Sequence, residues 1–153
     1  MDVRYVNPFI DSFINVMPQL GFGDIKKGSV SVKGKNLTGS GVIIIVGIVG
    51  QIKGNVVYNI ALEDAKKIAS TMMMGMPVTA LDEMSQSALS ELSNMLTASA
   101  ATSFSDLGIT IDISTPTLLH GDNISVKMSS NQVLCVQLFA DNNPIDINIA
   151  FEQ

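Results

Sequence analysis

The stretch from Met84 to Ser105 reads MSQSALSELSNMLTASAATSFS and carries one charged residue, Glu91. Apart from Glu91, Gln86 and Asn94, every side chain in it is Ser, Thr, Ala, Leu, Met or Phe. Asp82 and Glu83 are acids suited to a first helical turn, and Gly108 is a stop. The pattern predicts a helix that starts near Leu81–Met84 and runs to Asp106 or Leu107, the longest element in the chain. A surface helix ordinarily dresses its solvent face with Lys, Glu and Arg. This one leaves that face almost bare, which suits close docking of another surface.

Helical neighbours lie three and four positions apart. Ser87, Glu91, Asn94 and Ala98 therefore fall on one straight stripe, at i, i+4, i+7 and i+11. Ala88, Leu89, Leu92, Met95, Leu96 and Ser99 fall on a broad stripe turned away from it, and its Ala, Leu and Met members, with Met84, are assigned to the core. Glu91 and Asn94 then point outward, side by side, and are the candidate chemistry. Spacing alone does not separate this from a Glu and an Asn that merely keep a surface wet.

Working outward, strands surround the helices. Val42–Val49 is a continuous apolar run that suits a strand buried on both faces. The turn residues Gly50–Gly54 and the return Val56–Ile60 make residues 41–60 a β-hairpin. Val30 and Val32 alternate with Ser31 and Lys33. Strand signals resume at Ile109–Ile113, Ile124–Met128 and Val133–Ala140. Ile145, Ile147, Ile149 and Phe151 then alternate with polar residues, after a turn at Asp141–Pro144. Two further helices are expected. One starts at an Asn7-Pro8 cap, with Phe9, Ile10, Phe13, Val16, Met17 and Leu20 inward. The other begins near Leu62 and ends at Gly75, with the Met72–Met76 cluster packed into the core. Hairpins predominate and no βαβ repeat appears. The fold class is α+β: a mostly antiparallel sheet with long helices packed on it, in a single domain over residues 1–153.

The composition narrows the function. Net charge is −5 and the pI about 4.6, so nucleic acid and anionic membrane are poor partners. Arg4 is the sole guanidinium and the eight Lys are scattered, leaving little equipment to grip phosphate. Any cation for phosphate chemistry must come from a partner. Cys135 lies in an apolar run and reads as a small buried hydrophobe, and His120 reads as a turn residue. One His and one Cys make no transition-metal site, and there is no Gly-rich phosphate loop. The expectation is a chain without metal or organic cofactor. The amino terminus shows no signal-peptide pattern across Met1–Tyr5, and no apolar run is long enough to span a membrane. The expected compartment is the cytoplasm, where the Asn36-Leu37-Thr38 and Asn123-Ile124-Ser125 glycosylation patterns go unused.

The run from Leu81 to Met95 resembles the signature helix of the CheC/CheX/FliY phosphatases of bacterial chemotaxis, whose motif is Asp or Ser, then Glu, Asn and a later Pro. Ser87, Glu91 and Asn94 match it in order, and Pro116 follows Asn94 with 21 residues between. The opening Val3–Phe9, the run Gly50–Val57, the Leu62–Met76 segment and Ile109–Pro116 are similar to the CheX branch. The chain departs from many relatives in having Thr115-Pro116 for Pro-Pro, and in filling with Thr97-Ala98-Ser99 a stretch where many carry Gly.

The resemblance implies a protein phosphatase acting on a phosphorylated CheY-type receiver. Asn94 would orient a water in line with the aspartyl phosphate, and Glu91 would pair with the receiver's active-site Lys. Ser87 and Ala98 would touch the partner, and Pro116 would shape the strand supporting the helix. The receiver would bring the Mg²⁺. Asp11 and Asn15 are four apart and position 14 is Ile, so a second copy of the motif is absent and one site per chain is expected. The resemblance further implies a homodimer joined through the sheets. The alternative is a non-catalytic binding module that docks on a receiver or flagellar-switch protein.

Overall fold

The computed structural model describes residues 3–152. Met1 and Asp2, part of the amino-terminal reading above, and Gln153 lie outside the described residues. Among the described residues there are three α-helices: α1 (Asn7–Val16), α2 (Leu62–Met72) and α3 (Glu83–Asp106). Seven strands accompany them: β1 (Ile25–Lys33), β2 (Asn36–Gly50), β3 (Gly54–Ile60), β4 (Ile111–Ile113), β5 (Thr117–Lys127), β6 (Val133–Ala140) and β7 (Asn143–Phe151). The expected α+β architecture is what forms. Every strand pair is antiparallel, in the order β1-β6-β7-β3-β2-β4, with β5 pairing β2 beside that path.

The hairpin expected over 41–60 is the centre of this sheet. β2 and β3 pair from Val42 with Ile60 to Ile48 with Gly54. The apolar run is buried on both faces over part of its length. Val42, Ile44, Val46 and Ile48 enter the main core beneath the helices. Ile43 joins a smaller cluster on the opposite face, with Leu37, Val57, Val126 and Val133. Val49, at the far end, is exposed. Gly41 bends the strand between its two halves. Its φ is +95°, and a Cβ there would lie 2.4 Å from the Ile60 carbonyl oxygen, so only Gly fits.

The free edge of β2 is shared. β5 takes residues 36–45 and β4 takes residues 48–50. Between them, the Ser114 amide donates to the Gly47 carbonyl at 2.9 Å, and the Gly47 amide donates to Ser114 Oγ at 2.8 Å. This side-chain bridge holds the turn Ser114–Pro116 against the sheet. β5 is longer than the sequence suggests and absorbs Leu119–Asp122, so exposed His120 lies on a bulged strand rather than in a turn. The β6–β7 connection is also tighter than expected. Asp141 and Asn142 both have positive φ, at 48° and 67°, giving a two-residue turn in which Ala140 already pairs with Asn143.

The three helices pack on one face of the sheet. Phe9 of α1, Phe104 of α3, Phe151 of β7 and Tyr5 form an edge-to-face aromatic group with centroids 5.5–6.0 Å apart. Cys135 is buried and free, as expected, and burial pushes its thiol upward. Several expectations need correction. Asn7 is the first helical residue and not a side-chain cap. Met84 is 59% exposed, not core. Met74 is 96% exposed, with Met76 also outside, because the chain leaves α2 through a left-handed turn at Met74 and Gly75. The buried stripe of α3 is Ser85, Leu89, Leu92, Ser93, Leu96, Thr97, Ala100 and Phe104. Its hydroxyl members were invisible to a hydrophobic pattern. No helix among the described residues is long and apolar enough to cross a membrane.

Candidate active site

The N-terminus of α3 is closed by local hydrogen bonds. Asp82 is the cap, and its Oδ1 accepts from the Ser85 amide at 2.9 Å and from Ser85 Oγ at 2.8 Å. These bonds, the backbone one first, hold the Asp82 carboxyl below its ordinary range. Gln86 Nε2 donates back to the Leu81 carbonyl at 2.8 Å. The first two turns of the helix are thereby fixed in direction.

An open groove of about 660 Å³ runs along the outer face of these turns. Glu83, Gln86, Ser87, Ser90, Glu91 and Asn94 of α3 form one side, and Thr115, Pro116 and Leu118 form the other. The expected residues Ser87, Glu91, Asn94 and Pro116 therefore meet in one place, although Pro116 is far from the others in sequence. Ala98 is exposed on α3 but does not line the groove. Ser87 and Glu91 are exposed and Asn94 is half-buried, so Asn94 lies deeper than an outward stripe implies.

Sequence reasoning missed Glu83, Gln86, Ser90, Thr115 and Leu118 as members of the groove. Glu83 was findable, because it lies four residues before Ser87 on the same stripe. Thr115 and Leu118 are groove residues only because the Ser114 bridge sets the far wall, and no local pattern announces that bridge.

The groove holds two carboxylates, Glu83 and Glu91, and no Lys or Arg. Among the described residues, neither the Glu91 carboxylate nor the Asn94 side-chain amide has an intramolecular hydrogen-bond or ion-pair partner. No group of three or more His, Cys, Asp or Glu among the described residues is placed to hold a metal ion. A free phosphate would meet only negative charge here. A phosphoryl group bound on another protein, with its own cations, would meet a carboxylate for the cation and a carboxamide for water.

Residues 42–140, which include α3 and Pro116, match the family model of the chemotaxis phosphatase CheX. The chain belongs to the CheX family. It is 33% identical over 127 residues to the CheY-P phosphatase CheX of Thermotoga maritima, covering 83% of this chain and 82% of that protein. Among solved structures, a CheC-like superfamily protein from Shewanella sp. PV-4 is 29% identical with a TM-score of 0.86, covering all of both chains. A chain of the CheX-CheY-BeF3-Mg²⁺ complex from Borrelia burgdorferi is 28% identical with a TM-score of 0.80, covering 97% of this chain and 98% of that one. Within the CheX frame, α1 packs beside α3 but carries Ile14 where a second motif would need its Asn.

Proposed function

We propose that this chain hydrolyses the aspartyl phosphate of a phosphorylated CheY-type receiver domain. The observation that carries the reading is the pair Glu91 and Asn94. Both polar groups face a groove free of cations and have no partner within the described chain. The Thermotoga relative, a CheY-P phosphatase, and the Borrelia complex, in which CheX and CheY occur together, support the choice of substrate.

The chemistry suits these side chains. An acyl phosphate is already reactive, so the main task is to position the nucleophile. The Asn94 carboxamide accepts from and donates to a water without repelling phosphate. That water attacks phosphorus from the side opposite the aspartyl oxygen. The P–O bond to the carboxylate breaks, inorganic phosphate leaves, and the receiver's Asp is regenerated. Glu91 pairs with the receiver's active-site Lys and aligns the two proteins. Ser87 and Ala98 contact the receiver on either side of this pair, and Pro116 shapes the opposite wall. Mg²⁺ belongs to the receiver, and this chain carries no cofactor of its own.

We further propose that the protein works in the cytoplasm as a homodimer joined through sheet edges, leaving both grooves open. β1 ends the sheet, and Val30 and Val32 on it are 51% and 66% exposed. Light scattering that gives a monomer across micromolar concentrations would remove the dimer.

The deciding experiment incubates the chain with phosphorylated receiver and follows loss of the acyl phosphate. Accelerated loss that depends on Mg²⁺ is the expected result. Tight binding of the phosphorylated receiver with no change in its lifetime would make the protein a docking module instead.

A further inference from the structure

α3 is secured differently along its length. Its N-terminus is held by the Asp82 cap, and its C-terminus by the rings of Phe104, Phe9, Tyr5 and Phe151. Between them, at the turn carrying Asn94, the buried face sets two hydroxyl residues, Ser93 and Thr97, beside Leu92 and Leu96. A small void of about 10 Å³ lies at this turn, lined by Tyr58, Ser93 and the aliphatic side chains of α3 and the sheet around them. A gap of that kind forfeits contacts along its lining, so the hydrogen bonds beside it carry more of the placement of this turn.

A chain of hydrogen bonds crosses this place. Tyr58 is buried at the centre of β3, and its hydroxyl lies 2.8 Å from Thr97 Oγ1. Thr97 spends its one proton on the Ser93 carbonyl at 2.7 Å, so Tyr58 must be the donor to Thr97. Burial pushes the Tyr58 phenol well above its ordinary range, which keeps that proton in place. Ser93 Oγ in turn donates to the Ser90 carbonyl at 2.7 Å. In an α-helix that same carbonyl receives the amide of Asn94.

We infer that Tyr58 is a positioning residue for the reaction: through Thr97 and Ser93 it fixes the α3 turn that aims Asn94 into the groove. The inference rests on the phosphatase reading and adds to it a residue on the sheet, outside the groove. A carboxamide that orients a water in line is sensitive to displacement, and misplacement by about 1 Å can cost up to 10²-fold in rate. An ion pair is less directional, so docking through Glu91 tolerates the same shift. Loss of the chain should therefore lower kcat and leave KM for the receiver nearly unchanged.

The test uses Tyr58→Phe, Thr97→Val, the double variant and Thr97→Ser in the full chain. Each is measured for kcat and KM with phosphorylated receiver and for thermal midpoint. Tyr58→Phe and Thr97→Val should each lower kcat about fivefold, and Thr97→Ser should keep the wild-type rate. In Thr97→Val the buried phenol loses its acceptor and stability falls. In the double variant both partners are apolar, so stability returns. Its kcat should stay low, because no hydrogen bond then ties this turn of α3 to Tyr58 on the sheet. If kcat recovers together with stability, the chain is only structural and the inference is overturned. Should Tyr58→Phe fail to fold, Thr97→Val and Thr97→Ser carry the same comparison. An active wild type matched by both single variants removes the positioning role and leaves the phosphatase reading standing. A wild type that leaves the acyl phosphate untouched removes both.

Discussion

The inner and outer faces of α3 both carry polar side chains, yet they treat them in opposite ways. On the inner face, Ser85, Ser93 and Thr97 are buried and each hydroxyl is bonded within the chain. On the outer face, Glu91 and Asn94 have no intramolecular partner among the described residues. Burial explains the first case, since an unbonded buried hydroxyl is costly. Water can satisfy the second until a partner surface arrives. Polar groups turned inward hold the helix, and polar groups turned outward are available to another protein.

Asn94→Ala strikes the outer face hardest. Removing one positioned polar group from a transition state costs about 10²–10³ in rate. The carboxamide bonds nothing within the described chain, so the thermal midpoint should barely move. Decay of receiver acyl phosphate and a melting curve on the same sample check both halves. Wild-type turnover with Asn94→Ala would break the division between the faces.

Glu91→Ala should cost less and in a different parameter. An interfacial charge pair contributes about 1.5 kcal/mol at the low end, or roughly tenfold in kcat/KM. The loss should appear mainly as a raised KM. Glu91→Gln keeps the shape and removes the charge, so its KM should respond less to added salt than the wild type's. Equal salt dependence would mean that Glu91 does not meet a cation.

The outer face was largely legible in the sequence and the inner face was not. Ser87, Glu91 and Asn94 share a helical stripe, and spacing alone puts them together. The buried stripe was placed partly wrong because a hydrophobicity pattern assigns Met84 inward and has no reason to choose Ser93 and Thr97. Tertiary partners decide those positions: the hydroxyl of Tyr58 reaches Thr97 from 39 residues away in sequence. The sheet shows the same contrast. The 41–60 hairpin was readable from its apolar run and Gly-bounded turn. The extent of β5 was not, because its residues 117–123, Leu118 apart, are polar or exposed and become strand by pairing with β2.

Asp82→Ala tests the end of the helix where the two faces meet. It removes the side-chain acceptor of the Ser85 amide and leaves the Ser85 hydroxyl only the backbone carbonyl of residue 82, so the thermal midpoint should fall while kcat per folded molecule is largely kept. The pH dependence follows from the sign of the shift. The folded carboxyl lies below its ordinary value of 3.8, so its contribution is fully present above that value. It is lost as pH falls through the folded value. The midpoints of wild type and variant should therefore differ at neutral pH and converge in strong acid. A constant gap down to the acid limit would remove the cap from this account.

Ser90→Ala should do the least, and it separates a residue's carbonyl from its side chain. Ser90 is half-buried, lines the groove beside Glu91, and stands at the boundary between the faces. Its carbonyl accepts from Ser93 Oγ at 2.7 Å, and Ala keeps that carbonyl. Its own hydroxyl bonds nothing among the described residues. Ala is the better helix former by about half a kcal/mol, so stability should hold or rise slightly. Turnover should stay within about twofold of wild type, a surface change of less than about 0.5 kcal/mol. A tenfold fall in kcat with an unchanged thermal midpoint would move the Ser90 hydroxyl into the outward machinery. The groove would then act through three side chains on α3, Ser90, Glu91 and Asn94, with the boundary between the faces one residue further round the helix.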